Sequence, residues 1–334
     1  MLLDDDVSAG RPLVSVVIET VTARYDLEPG ASMAEDLAPT LLGLERQTYP
    51  AELIEAIVVL DPNVPEADAE AVSRRFGFVR FASCPVTNYY AAKNVGAEAA
   101  RGAVIALLDG DCVPDAAWLE RLVSRLEPGI AAVGGRTRYA AATTLAPTLA
   151  VPDFGYVLGD ASGAASGFNI NNVVFPREVL LEHPFDARLR RNGGCYLLYH
   201  ELVAAGKRVV YEDGAVVAHG VGDIRGTEFL RKHFQRGFDG VAVYRLDERR
   251  VLRGTRTFRR FGLPALVAIT VRRIGLDWVR LARHRTQIGI SALSVPYYLM
   301  VAVVLRLIEL AGMVAAVVRP ERYAGEVARR TSHA

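Results

Sequence analysis

Val104-Ile105-Ala106-Leu107-Leu108-Asp109-Gly110-Asp111 decides the fold. Its five apolar residues read as a short buried strand, and the strand runs straight into an acidic turn. Beyond the turn, Trp118, Leu119, Leu122, Val123 and Leu126 recur at helical spacing. Asp115 is placed to cap that helix, and Pro128-Gly129 to stop it.

Toward the N-terminus the same alternation repeats. Leu13 to Ile18 and Ala56 to Leu60 are β-branched, apolar runs, the second ending at Asp61-Pro62. Between them Leu37, Leu41, Leu42 and Leu44 line one side of a helical pattern. Glu66 to Phe76 reads as a helix, Phe78 to Ala82 as a third strand, and Tyr90 to Ala100 as an Ala-rich helix closed by Arg101-Gly102. Strands alternating with helices predict an α/β fold, with a mostly parallel sheet covered on both faces. Ligands of such sheets collect at the carboxyl ends of the strands, where both Asp61 and Asp109 fall. Farther on, Ala140 to Gly167 has no period and reads as a long loop. Arg208 to Ala218 returns to strand-like alternation and ends at His219.

Asp109 and Asp111 allow two readings. A hard divalent cation takes carboxylate oxygens while keeping room for phosphate oxygens; alternatively, the pair only forms a turn and caps a helix. Lys93-Asn94-Val95-Gly96 and Ala100-Arg101-Gly102 also divide. A cation and small residues there can approach a phosphate or ribose, or simply allow a helix to pack tightly on a strand.

Taken in order, these segments resemble the family 2 glycosyltransferases, whose nucleotide-binding domain is the Rossmann-like GT-A fold. The matching residues are Val14 to Ile18, Gln47-Thr48-Tyr49-Pro50, Ile57 to Asp61, Ala92-Lys93-Asn94-Val95-Gly96 and Leu107 to Asp111, continued by Trp118-Leu119-Glu120. Gly167-Phe168-Asn169, Pro184-Phe185-Asp186, Ala205 to Tyr211 and Ala218-His219 keep the cadence. The resemblance covers about residues 11 to 245 and implies a hexosyltransferase-like enzyme that inverts configuration at the sugar's anomeric carbon. It implies that Asp61 contacts the base, Asp109 the ribose or metal, and Asp111 the metal (Mg2+ or Mn2+), with His219 as a further ligand. Lys93 and Asn94 join the donor side, and Phe168 and Asn169 the acceptor side. The donor would be a UDP- or GDP-linked sugar.

Two departures stand out. The first strand is followed by Glu19-Thr20-Val21-Thr22 in place of the family's Pro-Thr-(Tyr/His)-Asn. Glu19 then either reads the nucleotide or anchors the strand end. Counting back from Ala205-Gly206 puts the family's Glu-Asp pair, which includes the general base, at Gly194-Cys195. Neither residue ordinarily takes a proton from a hydroxyl. Replacement candidates are Asp186, His200, Glu201 and Asp153. Without one of them, the chain is a non-catalytic sugar-nucleotide-binding homologue or scaffold of the same fold. A nucleotidyltransferase is disfavoured because no Gly-rich, basic loop follows the first strand, and a Rossmann dehydrogenase because there is no GxGxxG.

Composition sets the outer bounds. At 334 residues, 51% hydrophobic and 23% charged, the chain suits one large α/β domain with an appendage. Its mean hydropathy of +0.18 points to a membrane-facing segment. Net charge is +1, unevenly spread: from Val251 onward 14 arginines face 4 acids, whereas the preceding 250 residues carry 25 bases and 34 acids. Apolar runs separate these arginines, which fits anionic lipid headgroups and not nucleic acid. Gly262 to Val271 is apolar but short. Ser294 to Val318 is about long enough to cross a bilayer, interrupted by Arg306 and Glu309 at i,i+3 spacing. The expected tail, residues 246 to 334, therefore lies on the membrane, spans it, or buries or dimerises an amphipathic helix. Arg231 to Phe238 loosely resembles the aromatic-basic motif of processive relatives; otherwise it starts a solvated helix. The three cysteines lack CxxC spacing, and the first residues lack a signal-peptide pattern, so the expected location is the cytoplasmic face of the cell membrane. The expected acceptor is a lipid-linked, polysaccharide or other envelope glycan, and a homodimer through the C-terminal helices is a further expectation.

Overall fold

A computed structural model describes residues 11–21, 32–62, 64–139, 163–219, 226–288 and 290–319. These divide into two compact units. One holds the described residues to 139 together with 163–187 and 202–219; the other holds 188–201 and those from 226 onward.

The first unit is an eight-stranded sheet. Its strands are β1 (Val14–Glu19), β2 (Ile54–Leu60), β3 (Val79–Ser83), β4 (Val104–Asp109), β5 (Cys112–Pro114), β6 (Ile130–Tyr139), β7 (Val173–Pro176) and β8 (Arg208–His219). They run in the order β3-β2-β1-β4-β7-β6-β8-β5. Strands β3, β2, β1 and β4 are parallel neighbours, as the alternation predicts. The far half is mixed, because β7 lies antiparallel to both β4 and β6, β6 is parallel to β8, and β5 is antiparallel to β8. The fold is thus the expected GT-A type, mostly parallel with an antiparallel insertion.

The period-2 pattern explains how both faces are covered. Val14, Val16 and Ile18 share a core with Leu37 and Leu41 of α1 (Met33–Glu45), Val72 of α2 (Glu66–Arg75) and Trp118 and Leu122 of α4 (Trp118–Ser124). Val17, on the opposite face, meets α3 (Tyr89–Ala99): a Cβ on Gly96 would lie 2.2 Å from Val17 Cγ1. Gly96 therefore lets this helix rest on the sheet. The Arg101-Gly102 end of the connection has the packing role. It lies at the amino end of β4, where the Ser15 hydroxyl accepts from Gly102 N–H at 2.9 Å and donates to Glu55 at 2.5 Å. One local expectation fails. The cap of α4 is Ala117, with no side-chain capping bond, and Asp115 instead stands 3.6 Å from Arg138.

Along the chain come α5 (Arg177–Glu182) and α6 (Gly194–Ala204), then four helices of the second unit: α7 (Gly226–Leu246), α8 (Arg253–Phe261), α9 (Leu263–Ile288) and α10 (Val295–Val318). Helix α10 packs on α7 and α9. The α7–α10 crossing is close enough that a Cβ on Gly237 or on Gly312 would meet the other helix's backbone at 1.9 or 2.0 Å. That approach brings buried charges together. Arg306 forks onto Asp277 at 2.7 and 3.1 Å and reaches Glu309 at 2.6 Å. Glu309 also receives His233 of α7 at 3.3 Å. The i,i+3 pair expected from sequence is present, and it is half of an interhelical network.

Removing one member of a buried ion cluster leaves the others uncompensated. Arg306→Met is expected to lower unfolding free energy by about 3–5 kcal/mol, read by denaturant titration.

Candidate metal and donor site

The parallel strands deliver acids to one edge. In the β1–β4 register Glu19 lies opposite Asp109, and Asp61 directly follows the neighbouring strand β2. Glu19, Asp61 and Asp109 are all buried. Asp61 N–H donates to Thr20 Oγ1 at 3.1 Å, and that hydroxyl donates to Val59 O at 3.1 Å, so the two strand ends are tied across their register.

Asp109 is held by α3. The fully buried Lys93 ammonium donates to Leu108 O at 2.6 Å and pairs with Asp109 Oδ1 at 2.8 Å. The Tyr89 hydroxyl lies 2.9 Å from both oxygens of the same carboxylate. A lysine in this position is stable only because its charge is paired and its N–H groups find acceptors. On the other side of the turn, Thr40 of α1 donates to Gly110 O at 2.8 Å.

Strand β5 then brings an imidazole to the turn. Cys112 is registered with His219 of β8, which places the imidazole across from the turn. His219 Nε2 is 3.7 Å from Asp111 Oδ2. Ligand atoms of Asp109, Asp111, Cys112 and His219 all lie within 4.8 Å of one another. Burial first, then the two carboxylates, push the Cys112 thiol well up, so it stays protonated and donates weakly to Asp111 at 3.5 Å. The remaining donors, two carboxylates and an imidazole, fit a hard divalent ion that keeps positions open for phosphate oxygens.

Other sequence candidates take supporting positions. Both ends of the Asn94 amide engage the Phe185 backbone, at 2.8 and 3.0 Å, and Asn88 donates to Ala187 O at 3.1 Å. Asp186, half-buried between those two anchors, is therefore fastened to the N-terminal half of α3, the helix that carries Tyr89 and Lys93. Phe168 is fully buried, edge-on to Phe175, and Asn169 beside it is also buried. His200 and Glu201 sit in α6. Burial lowers the His200 pKa against the opposing charge of Asp247, and its ring lies 4.6 and 5.2 Å from those of Tyr196 and Tyr199. Asp153 lies outside the described residues. Sequence reasoning missed Tyr89 and Thr40; the aromatic pair Tyr89-Tyr90 directly before the Ala-Lys-Asn element was the available signal.

These features lie together at the carboxyl edge of the sheet. Residues 31–160 match the family model of glycosyl transferase family 2. The chain is 33% identical over 135 residues to glycosyltransferase AglE of Haloferax volcanii, covering 38% of this chain and 40% of that protein, which is less than half its length. It is 29% identical over 251 residues to glucosyl-dolichyl phosphate glucuronosyltransferase of the same organism, covering 69% of this chain and 77% of the relative. The mannosyltransferase PcManGT of Pyrobaculum calidifontis, solved with GDP-Man and Mn2+, superposes with a TM-score of 0.63 at 17% identity. That likeness covers 93% of this chain and 88% of PcManGT and shows the shared fold. Over residues 31–160 the chain is similar to the family 2 glycosyltransferases.

Replacing Lys93 by Met strips Asp109 of its buried counter-charge. Unfolding free energy is expected to fall by about 3–5 kcal/mol, whereas Tyr89→Phe, which removes one hydroxyl, costs about 1–3 kcal/mol.

Proposed function

We propose that the protein moves a sugar from a nucleoside diphosphate sugar to a hydroxyl of a lipid-linked or other envelope acceptor, inverting configuration by one in-line displacement. The observation that carries this reading is the convergence of Asp109, Asp111 and His219 at the carboxyl edge of a GT-A sheet. Asp109, Asp111 and His219 would hold Mg2+ or Mn2+, which supplies neutralisation of charge on the departing diphosphate. Lys93 and Tyr89 fix the Asp109 carboxylate, so its geometry is set before the donor arrives. Glu19 and Asp61, at neighbouring strand ends, are the donor-side acids for base and ribose. The GDP-Man in the PcManGT structure supports a GDP-sugar, with a UDP-sugar as the alternative donor. The dolichyl phosphate in the name of the glucuronosyltransferase relative supports a lipid-linked acceptor.

A second reading, a non-catalytic binding homologue, is favoured by the lack of an acid at Gly194-Cys195. Screening GDP- and UDP-sugars with Mg2+ or Mn2+ separates the two. Transfer is expected, with loss of roughly a hundredfold or more in Asp111→Ala and on chelation. Binding without turnover for every donor and acceptor supports the second reading. Activity indifferent both to chelation and to Asp111→Ala overturns the metal assignment.

The tail suits the cytoplasmic membrane surface. Across Val295–Val318 every exposed or half-exposed residue is apolar, Tyr297, Met300, Val304, Leu307, Val314 and Val318 among them, while Arg306 and Glu309 face inward. That band is wider than a coiled-coil seam, which carries charges on its flanks, so hydrocarbon covers it better than a second copy does. Earlier in the tail, ahead of α9, helix α8 presents exposed Arg253, Arg256, Arg259 and Arg260. Flotation with phosphatidylserine-containing vesicles is expected to retain the protein. Each Arg→Glu change at Arg259 or Arg260 should weaken binding by about 1 kcal/mol or more. Equal retention on neutral and anionic vesicles contradicts the arginine contribution.

A further inference from the structure

Helices α9 and α10 form an antiparallel pair inside the second unit. Asp277 meets Arg306 at 2.7 Å, Arg273 reaches Glu309 at 3.6 Å, and Leu281 packs with Val295, Tyr298 and Leu299. These contacts mark the side that each helix turns to the other. Helix α10 also receives α7, through the close backbone approaches at Glu309 and Gly312 and a 3.4 Å bond from Arg245 to Ala316 O.

Helix α9 has an exposed apolar stripe of its own. Val267, Val271, Trp278 and Val279 are 45–64% exposed, and exposed Gly275 and Ala282 continue the stripe with no charged residue among them. At about 100° per residue, the stripe lies roughly 120° around α9 from its α10-facing side. On α10 the exposed Met300, Val304, Leu307 and Val314 lie about as far from the α9-facing side, turned the same way along the chain. Because the helices run antiparallel, equal turns of that sense bring both stripes out on one side of the pair. They make a single apolar face, two helices wide and roughly 20–30 Å long. By the same construction Gly312 and Ala316 hold α7 on the opposite side, where the exposed Arg272 and Arg283 of α9 also emerge.

We infer that α9 and α10 insert together, lying flat in one leaflet of an anionic bilayer, with the arginines on the back of the pair at headgroup level. The inference rests on the membrane reading of the tail and extends it in two ways. Helix α9 takes an equal part, and α10 lies in the plane of the membrane despite being long enough to cross it. The packing of α7 argues for the flat arrangement. A crossing α10 would draw α7 in with it, taking Arg231, Lys232, Arg236 and Arg245 toward hydrocarbon, where charged side chains are heavily disfavoured. Lying flat, the pair keeps those residues on the water side. Arg306, Asp277 and Glu309 are paired with one another between the helices, so the charges nearest the lipid are already compensated. Trp278, apolar with a polar N–H, suits the boundary between headgroups and chains.

Trp278 also supplies the test, because the only other tryptophan, Trp118, is fully buried in the sheet unit. The full chain is mixed with phosphatidylcholine–phosphatidylserine vesicles whose acyl chains are brominated near the headgroup or near the chain end. Trp278 fluorescence should be quenched more by the shallow bromines. Met300→Trp, Leu307→Trp and Val314→Trp, each made with Trp278→Phe, should be quenched to similar extents and with the same shallow preference. Val271→Asp, at an exposed position, should keep its melting temperature and bind vesicles about tenfold or more weakly. Deep quenching at position 307 that falls off toward 300 and 314 marks a crossing helix and overturns the flat arrangement. Quenching along α10 with none at Trp278 overturns the part given to α9. A vesicle-free dimer that Val271→Asp dissociates, with no quenching of Trp278, assigns the face to a second copy and overturns the inference. A chain that vesicles do not retain at all overturns the membrane reading and the inference together.

Discussion

The carboxyl edge of the sheet depends on one buried ammonium. Lys93, inside α3, holds the last carbonyl of the apolar part of β4 and the carboxylate that follows it. A lysine can be fully buried only where it is paired and hydrogen-bonded, so Leu108 and Asp109 must stand where they do. The same pairing sets a counter-charge 2.8 Å from the Asp109 carboxylate at the mouth of a hydrophobic sheet.

From that contact the rest of the edge follows. Gly96 lets α3 lie close enough on β1 for the lysine to reach β4. The helix start is tied through Asn88 and Asn94 to the backbone on either side of Asp186. The acidic turn then passes into β5, whose pairing with β8 presents His219 to Asp111. Sheet register, and not sequence proximity, brings His219 to the Asp109-Gly110-Asp111 turn.

Much of this was legible in sequence. The four parallel strands are short β-branched or apolar runs ending in turn residues, and their acids fall at the ends where ligands bind. The antiparallel insertion was not legible. Strand β6 begins Ile-Ala-Ala-Val-Gly-Gly, with little alternation to mark it, and buried asparagines lead into β7. Their order comes from side-chain bonds such as Trp118 Nε1 to Asn172 Oδ1 at 2.8 Å, which no local pattern reports. Asp115 looked like a cap but pairs across strands. Arg306 and Glu309 were readable as neighbours on one helix, whereas Asp277 and His233 join them through helix packing across 29 and 76 residues of chain.

The most direct measurement is anomalous diffraction from crystals grown with Mn2+ and a nucleoside diphosphate. The account predicts an anomalous peak at the Asp109–Asp111–His219 cluster, with the diphosphate bound against it. An ordered nucleotide with no peak at that cluster, or with manganese bound elsewhere, would contradict it.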